Sequence, residues 1–132
     1  MKNYLFLDDE RFPKNVTWVD LPAQDWRIVR SYDEFVKFIE KNGVPAFISF
    51  DHDLACEHYR DSMYNPDRHY NSYYPLFKEK TGFHCAKWLV EYCLDNGHEI
   101  PKYMAHTMNP IGKENIISIM EQGKRIQDSL TK

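Results

Sequence analysis

The chain has 132 residues, 42% hydrophobic and 28% charged, which is ordinary usage for one folded domain and excludes wholesale disorder. A formal net charge of -3, with no Lys/Arg block, removes the attraction that holds proteins on long nucleic acid and leaves small phosphorylated ligands open. The first apolar run, Tyr4 to Leu7, is far too short for a signal peptide or a membrane span, so a soluble, cytoplasmic protein is expected.

Tyr4 to Leu7 is a short apolar run that stops at Asp8-Asp9-Glu10-Arg11 and is predicted to be a buried strand. After a loop containing Pro13 and Pro22, a second strand is predicted at Trp26 to Arg30. Ser31 and Glu34 have the spacing of a capping box, Phe35, Phe38 and Ile39 supply an inner helical face, and Gly43 closes the helix. A third strand, Pro45 to Phe50, again runs straight into acid, at Asp51-His52-Asp53.

From about Leu54 to Lys80 the sequence is irregular and rich in tyrosine. Its aromatic and basic side chains suit base stacking with phosphate pairing, or equally a packed surface flap. Thr81 is then predicted to cap a helix reaching Asp95, with Phe83, Ala86, Leu89, Val90, Cys93 and Leu94 inward and Gly97 as its stop. Cys56, Cys85 and Cys93 are odd in number and form no C-x-x-C pair, so reduced, buried thiols are expected rather than a disulfide or thiolate zinc site. A fourth strand is predicted at Lys102 to His106. Asn109 caps a last helix with Pro110 at its first position and Ile116, Ile117 and Met120 as its apolar stripe. No fifth strand is evident after Gly123.

Strands alternating with helices over residues 1–132 predict a single α/β domain with a short, mainly parallel sheet of about four strands covered on both faces. If the strand order is 2-1-3-4, the ends of the first and third strands are neighbours, and ligands bind in the crevice there. Asp8, Asp9, Asp51 and Asp53 would converge as a hard-oxygen site for Mg²⁺, Mn²⁺ or Ca²⁺, although Asp8 to Arg11 also reads as a solvated turn with an internal ion pair. His52 and His106 stand at strand ends and suit metal ligation or general acid-base work. The stretch from His106 to Asn115 joins a strand end to a helix start, where free amides attract an anion; capping by Asn109 is the plainer explanation of Asn109 and Pro110.

Taken together, Leu7-Asp8-Asp9-Glu10-Arg11 with Pro13, Asp51-His52-Asp53-Leu54, Thr81-Gly82, and His106 with Asn109-Pro110, Gly112 and Asn115 resemble receiver-like domains. The resemblance is closer to the cyclic-phosphate processing receiver family than to phosphorelay receivers. It implies a three-layer, receiver-like (flavodoxin-like) fold with a Tyr-rich insertion, 56–80, after the third strand. It also implies a role in processing cyclic phosphates, on nucleotides or RNA termini. Relative to a phosphorelay receiver, Asp8 and Asp9 match the acidic metal pair, Asp51 the phosphoacceptor and Thr107 roughly the hydroxyl after the fourth strand; the lysine of a fifth strand has no counterpart. The expected activity is a metal-assisted phosphoesterase with Asp51, His52 and His106 catalytic and Arg11, Thr107, Asn109, Gly112 and Asn115 contacting phosphate. The alternatives are a phosphoacceptor or degenerate receiver serving as a signalling module, and a non-catalytic nucleotide binder.

Overall fold

The computed structural model describes residues 3–54 and 80–130. Strands β1 (Tyr4–Leu7), β2 (Trp26–Val29), β3 (Phe47–Phe50) and β4 (Lys102–Ala105) form one parallel sheet in the order β2-β1-β3-β4. Helix α1 (Tyr32–Asn42) joins β2 to β3, α2 (Gly82–Asn96) leads into β4, and α3 (Pro110–Leu130) follows it. Both the parallel α/β architecture and the 2-1-3-4 order agree with the sequence. The Tyr-rich segment and Cys56 lie outside the described residues.

β1 has its expected bounds, and the other three strands are shorter than expected by one or two residues. Arg30 and His106 fall just past the assigned strands and Pro45-Ala46 just before them, although backbone bonds continue from Ala46 N to Asn3 O and from His106 N to Phe50 O.

Side chains alternate between faces along each strand. Leu5, Leu7, Val29, Ile48, Phe50 and Ala105 form a buried core with Phe35 and Ile39 of α1, Cys85, Leu89 and Cys93 of α2, and Ile116 and Met120 of α3. Each large side chain buried this way stabilises the fold by roughly 1.5–3 kcal/mol. Phe6 and Ser49 take the other face, where the β1–β2 connection lies among the described residues: Trp26 donates its indole N–H to Pro22 O at 3.1 Å, and Tyr4, Trp26 and Phe47 pack ring to ring.

The helix ends follow their local chemistry. Ser31 Oγ accepts from Glu34 N at 3.2 Å, while Glu34 Oε1 accepts from Arg30 N at 2.9 Å, so the box closes one residue earlier than its usual form. Gly97 takes the left-handed conformation, φ 71°, that ends α2.

One stripe needs correcting. Ile117 was expected to face inward on α3 but is exposed, because the buried line is Gly112, Ile116, Met120 and Gly123. Gly123 lets α3 approach α2: a Cβ there would come within 2.7 Å of Val90 Cγ1 and 2.9 Å of Ile100 Cδ1.

Candidate functional site

Leu7, Phe50 and Ala105 stand side by side in the sheet register. The next residue of each strand is therefore Asp8, Asp51 and His106, one rung beyond the ladder. Backbone bonds carry the register across that rung: Asp8 N donates to Val29 O, Asp51 N to Leu7 O and His106 N to Phe50 O, at 2.9–3.1 Å. All three side chains thus emerge at the carboxyl end of the sheet, on the face of Phe6 and Ser49. One possible ligand atom from each lies within 4.8 Å of the others, and all three residues are buried.

His106 is held on every side. Its ring stacks on Phe6 at 4.5 Å. Nδ1 lies 2.7 Å from Ser49 Oγ, and Nε2 lies 3.0 Å from Asp8 Oδ2. Burial outweighs the attraction of Asp8 and lowers its pKa below 6.5, so the neutral ring fits best with Nε2–H donating to Asp8 and Nδ1 accepting from the Ser49 hydroxyl.

Burial also opposes charge on Asp8, but bonds from His106 and from the Glu10 and Arg11 amides outweigh it and hold this carboxyl below 3.8. Asp51 has less support: among the described residues only the His52 amide donates to it, at 2.9 Å to Oδ1. Burial first, then the charges of Asp8 and Asp53, push it up to about 8. Asp9 is raised to about 6 by burial and by Asp8 and Glu10. Asp51 Oδ2 and Asp9 Oδ1 are buried and have no hydrogen-bond partner among the described residues. Orphaned hard oxygens of this kind fit a divalent cation, so the buried Asp8–Asp51–His106 cluster, with Asp9 beside it, is able to hold one.

Asp53 and His52 belong to a second cluster. His52 Nδ1 donates to Asp53 Oδ1 at 2.7 Å, and Asn109 Nδ2 donates to the same oxygen at 3.1 Å. Asp53 is thus outside the group of Asp8, Asp51 and His106 and satisfies a histidine instead of adding a fourth carboxylate. A Cβ on Gly112 would run into the His52 ring, so the glycine serves close packing of α3 on this cluster.

Asn109 Oδ1 accepts from the amides of Ile111 and Gly112 at 3.1 and 3.0 Å, and Asn109 O accepts from Lys113 N at 2.8 Å. Since Pro110 has no N–H, the first turn of α3 is fully engaged. The amides on which a phosphate was expected to rest are occupied by ordinary capping. Thr107 is buried and its Oγ1 accepts from Asn109 N at 3.1 Å; Asn115 is half-buried one turn further along α3. Arg11 is better placed toward the acids, with Nη1 3.7 Å from Asp8 Oδ2. His84 closes the start of α2, where its Nδ1 accepts from Thr81 N at 2.9 Å.

Three contributors were not found from sequence. Ser49 was the one polar residue within an apolar strand, a signal that could have flagged it. Arg30 donates to Asp8 O at 3.1 Å and to Arg11 O, tying down the acidic loop. Trp18 donates its indole N–H to His106 O at 2.7 Å. The latter two contacts cross 22 and 88 residues, and no local pattern marks them.

A metal-free sample should lose stability as pH rises from 6.5 to 8. Asp51 has a folded-state pKa near 8 against about 3.8 unfolded, so between those values the folded form keeps a proton that the unfolded form releases, and stability falls. Asp9 acts the same way, but only up to about pH 6. His106 acts oppositely, removing stability as pH falls through 6.5. Thermal melts in EDTA should show a decline of at most about 2 kcal/mol over that window, and excess Mg²⁺ should abolish it. A flat profile in EDTA would place Asp51 in a solvated setting.

A parallel sheet ordered 2-1-3-4, with acids gathered at the carboxyl ends of its two central strands, defines a receiver-like α/β domain. The family described as the cyclic-phosphate processing receiver domain matches residues 3–122, and the chain belongs to it. No curated protein and no solved structure matches. Among the described residues, no helix is long and apolar enough to cross a membrane.

Proposed function

We propose that this chain, acting as a single domain, is a metal-assisted phosphoesterase that opens cyclic phosphates on nucleotides or RNA termini. The observation that carries the reading is the gathering of buried Asp8, Asp51 and His106 within 4.8 Å, with an Asp51 oxygen that has no partner among the described residues, while hydrogen bonds hold the Asp8 carboxyl low and burial pushes Asp51 up to about 8. Pairs pushed apart in this way suit acid-base work and exchange of a proton for a cation. Asp8, Asp9 and Asp51 would hold Mg²⁺ or Mn²⁺, with Ca²⁺ as the third oxygen-seeking choice. When bound, such an ion supplies charge neutralisation at phosphoryl oxygens. Arg11 adds a second positive charge beside Asp8, and the Thr107 hydroxyl lies at the end of β4 for a further phosphate contact.

Proton movement falls to the histidines. His106 holds a proton at Nε2 and shares it with Asp8. His52 is fixed by the acceptor Asp53 with its proton on Nδ1, which makes Nε2 its basic nitrogen.

The receiver reading, a phosphoacceptor serving signalling, is favoured by Asp51 at the end of β3 and Thr107 after β4. Among the described residues, however, no strand follows β4 to bring a lysine to the site. One experiment separates the two: turnover of 2',3'-cyclic nucleotides with and without Mg²⁺ or Mn²⁺, beside mass spectrometry after acetyl phosphate treatment. Cation-dependent ring opening with no lasting adduct is expected. A persistent phosphoryl-aspartate with no turnover would overturn the hydrolase. In calorimetric titration Asp51→Asn should weaken Mg²⁺ binding by at least about tenfold, yet melt no lower than wild type without metal, since a neutral amide replaces a carboxyl whose ionisation burial and the neighbouring acids oppose. Unchanged affinity would take Asp51 out of the cation site.

A further inference from the structure

We infer that Trp18 is a recognition residue for an aromatic base joined to the bound phosphate, so that the ligand class is a nucleoside phosphate. This rests on reading the acid cluster as a phosphate site. Arg11 spans the two regions: its Nη1 is 3.7 Å from Asp8 Oδ2, and its guanidinium carbon is 5.2 Å from the centre of the Trp18 ring. The indole is held by its N–H bond to His106 O, 2.7 Å long, yet 39% of the residue stays exposed.

A large apolar ring partly exposed beside a buried polar cluster is costly to leave in water, and pre-set orientation is what a stacking platform requires. Its neighbours have the same character. Phe12, from the same connection, is 48% exposed and carries Arg30 at 4.8 Å and Lys14 at 5.9 Å from its ring centre. Asp8 and Asp51 are thus buried while the aromatic and basic side chains near them are at least partly exposed, a division suited to phosphate on the acid side and base on the aromatic side. A ring that only anchored the loop would need its N–H bond but not its exposure.

Calorimetric titration in Mg²⁺ of wild type, Trp18→Phe and Trp18→Ala tests the assignment with stable ligands: 3'-AMP, ribose 3-phosphate, and a trinucleotide ending in a 3'-phosphate. Stacking contributes roughly 1–3 kcal/mol per base, so wild type should bind 3'-AMP at least about tenfold more tightly than ribose 3-phosphate. Trp18→Ala should lose that preference and Trp18→Phe keep most of it, with ribose 3-phosphate affinity little changed in both. Tighter binding of the trinucleotide would identify an RNA end as the source of the base, and equal binding a free nucleotide; either upholds base recognition. Equal wild-type affinity for 3'-AMP and ribose 3-phosphate overturns the inference and leaves the phosphate site standing. Equal weakening of both ligands in Trp18→Phe and Trp18→Ala reduces the indole to a loop anchor and overturns it too. No binding of any phosphate would overturn the inference together with the site reading beneath it.

Discussion

Turnover of a 2',3'-cyclic phosphate is expected to fall by about 10²- to 10⁴-fold in His106→Gln, the usual loss when a proton-transfer group is removed. Glutamine is the informative choice because His106 is fully buried. Alanine would strip Asp8 Oδ2 and Ser49 Oγ of a partner and open a cavity beside Phe6, at a cost of several kcal/mol, and lost activity would then mean little. The glutamine amide can still donate toward Asp8, but it cannot gain and lose a proton near neutral pH. His52→Gln is the companion variant, with its link to Asp53 kept by the same logic. Steady-state kinetics beside thermal melts check the prediction. Near-native melting with full turnover in His106→Gln would remove it from the chemistry and leave it a support for Asp8.

The largest stability effect is expected at Gly82. Its N–H donates to His52 O at 2.8 Å, and an added Cβ would land on the carbonyl of Asp51, with the carbonyl carbon only 2.9 Å away. Both sides of the clash are backbone, so neither can swing aside, and α2 must separate from the end of β3. Gly82→Ala should cost about 3 kcal/mol or more, read as a lower urea midpoint at unchanged slope. It should also weaken Mg²⁺ binding, because the displaced segment carries Asp51. Gly97→Ala is the control: its φ of 71° is strained for alanine, but nothing lies within 4 Å of the new Cβ. A cost of about 1–2 kcal/mol with unchanged Mg²⁺ affinity is expected there. Equal behaviour of the two variants would show that the close approach of Gly82 to Asp51 has no energetic weight.

Much of the fold was legible because its signals are local. Tyr4 to Leu7 is apolar and then abruptly acidic, and Ser31 with Glu34 marks a helix start whatever lies around it. Strands alternating with helices leave few topologies open, and one of them, 2-1-3-4, makes β1 and β3 neighbours; the structure selects that order and with it the meeting of Asp8 and Asp51. Ile117 was misplaced because it and Ile116 compete for the inner face of α3. The choice went to Ile116 through the packing of Gly112 and Gly123 against His52 and Val90, which a single helix does not contain.

Sequence by itself determined the elements, the acidic ends of the strands and the family likeness carried by its motifs, since each depends on residue type and short spacing, whereas the sheet order was one option among few until the structure selected it. Tertiary structure decided the partners. Asp53 joined His52 and Asn109 and not the Asp8–Asp51–His106 group, Asn109 took the α3 amides, and Ser49 and Asp8 became the partners of the two His106 ring nitrogens. Trp18 reached His106 across 88 residues. Hydrogen bonds and burial are fixed by distance in space, so which carboxylate is paired, which keeps a proton and which oxygen is left unpartnered emerge only when the strand ends are brought to one rung.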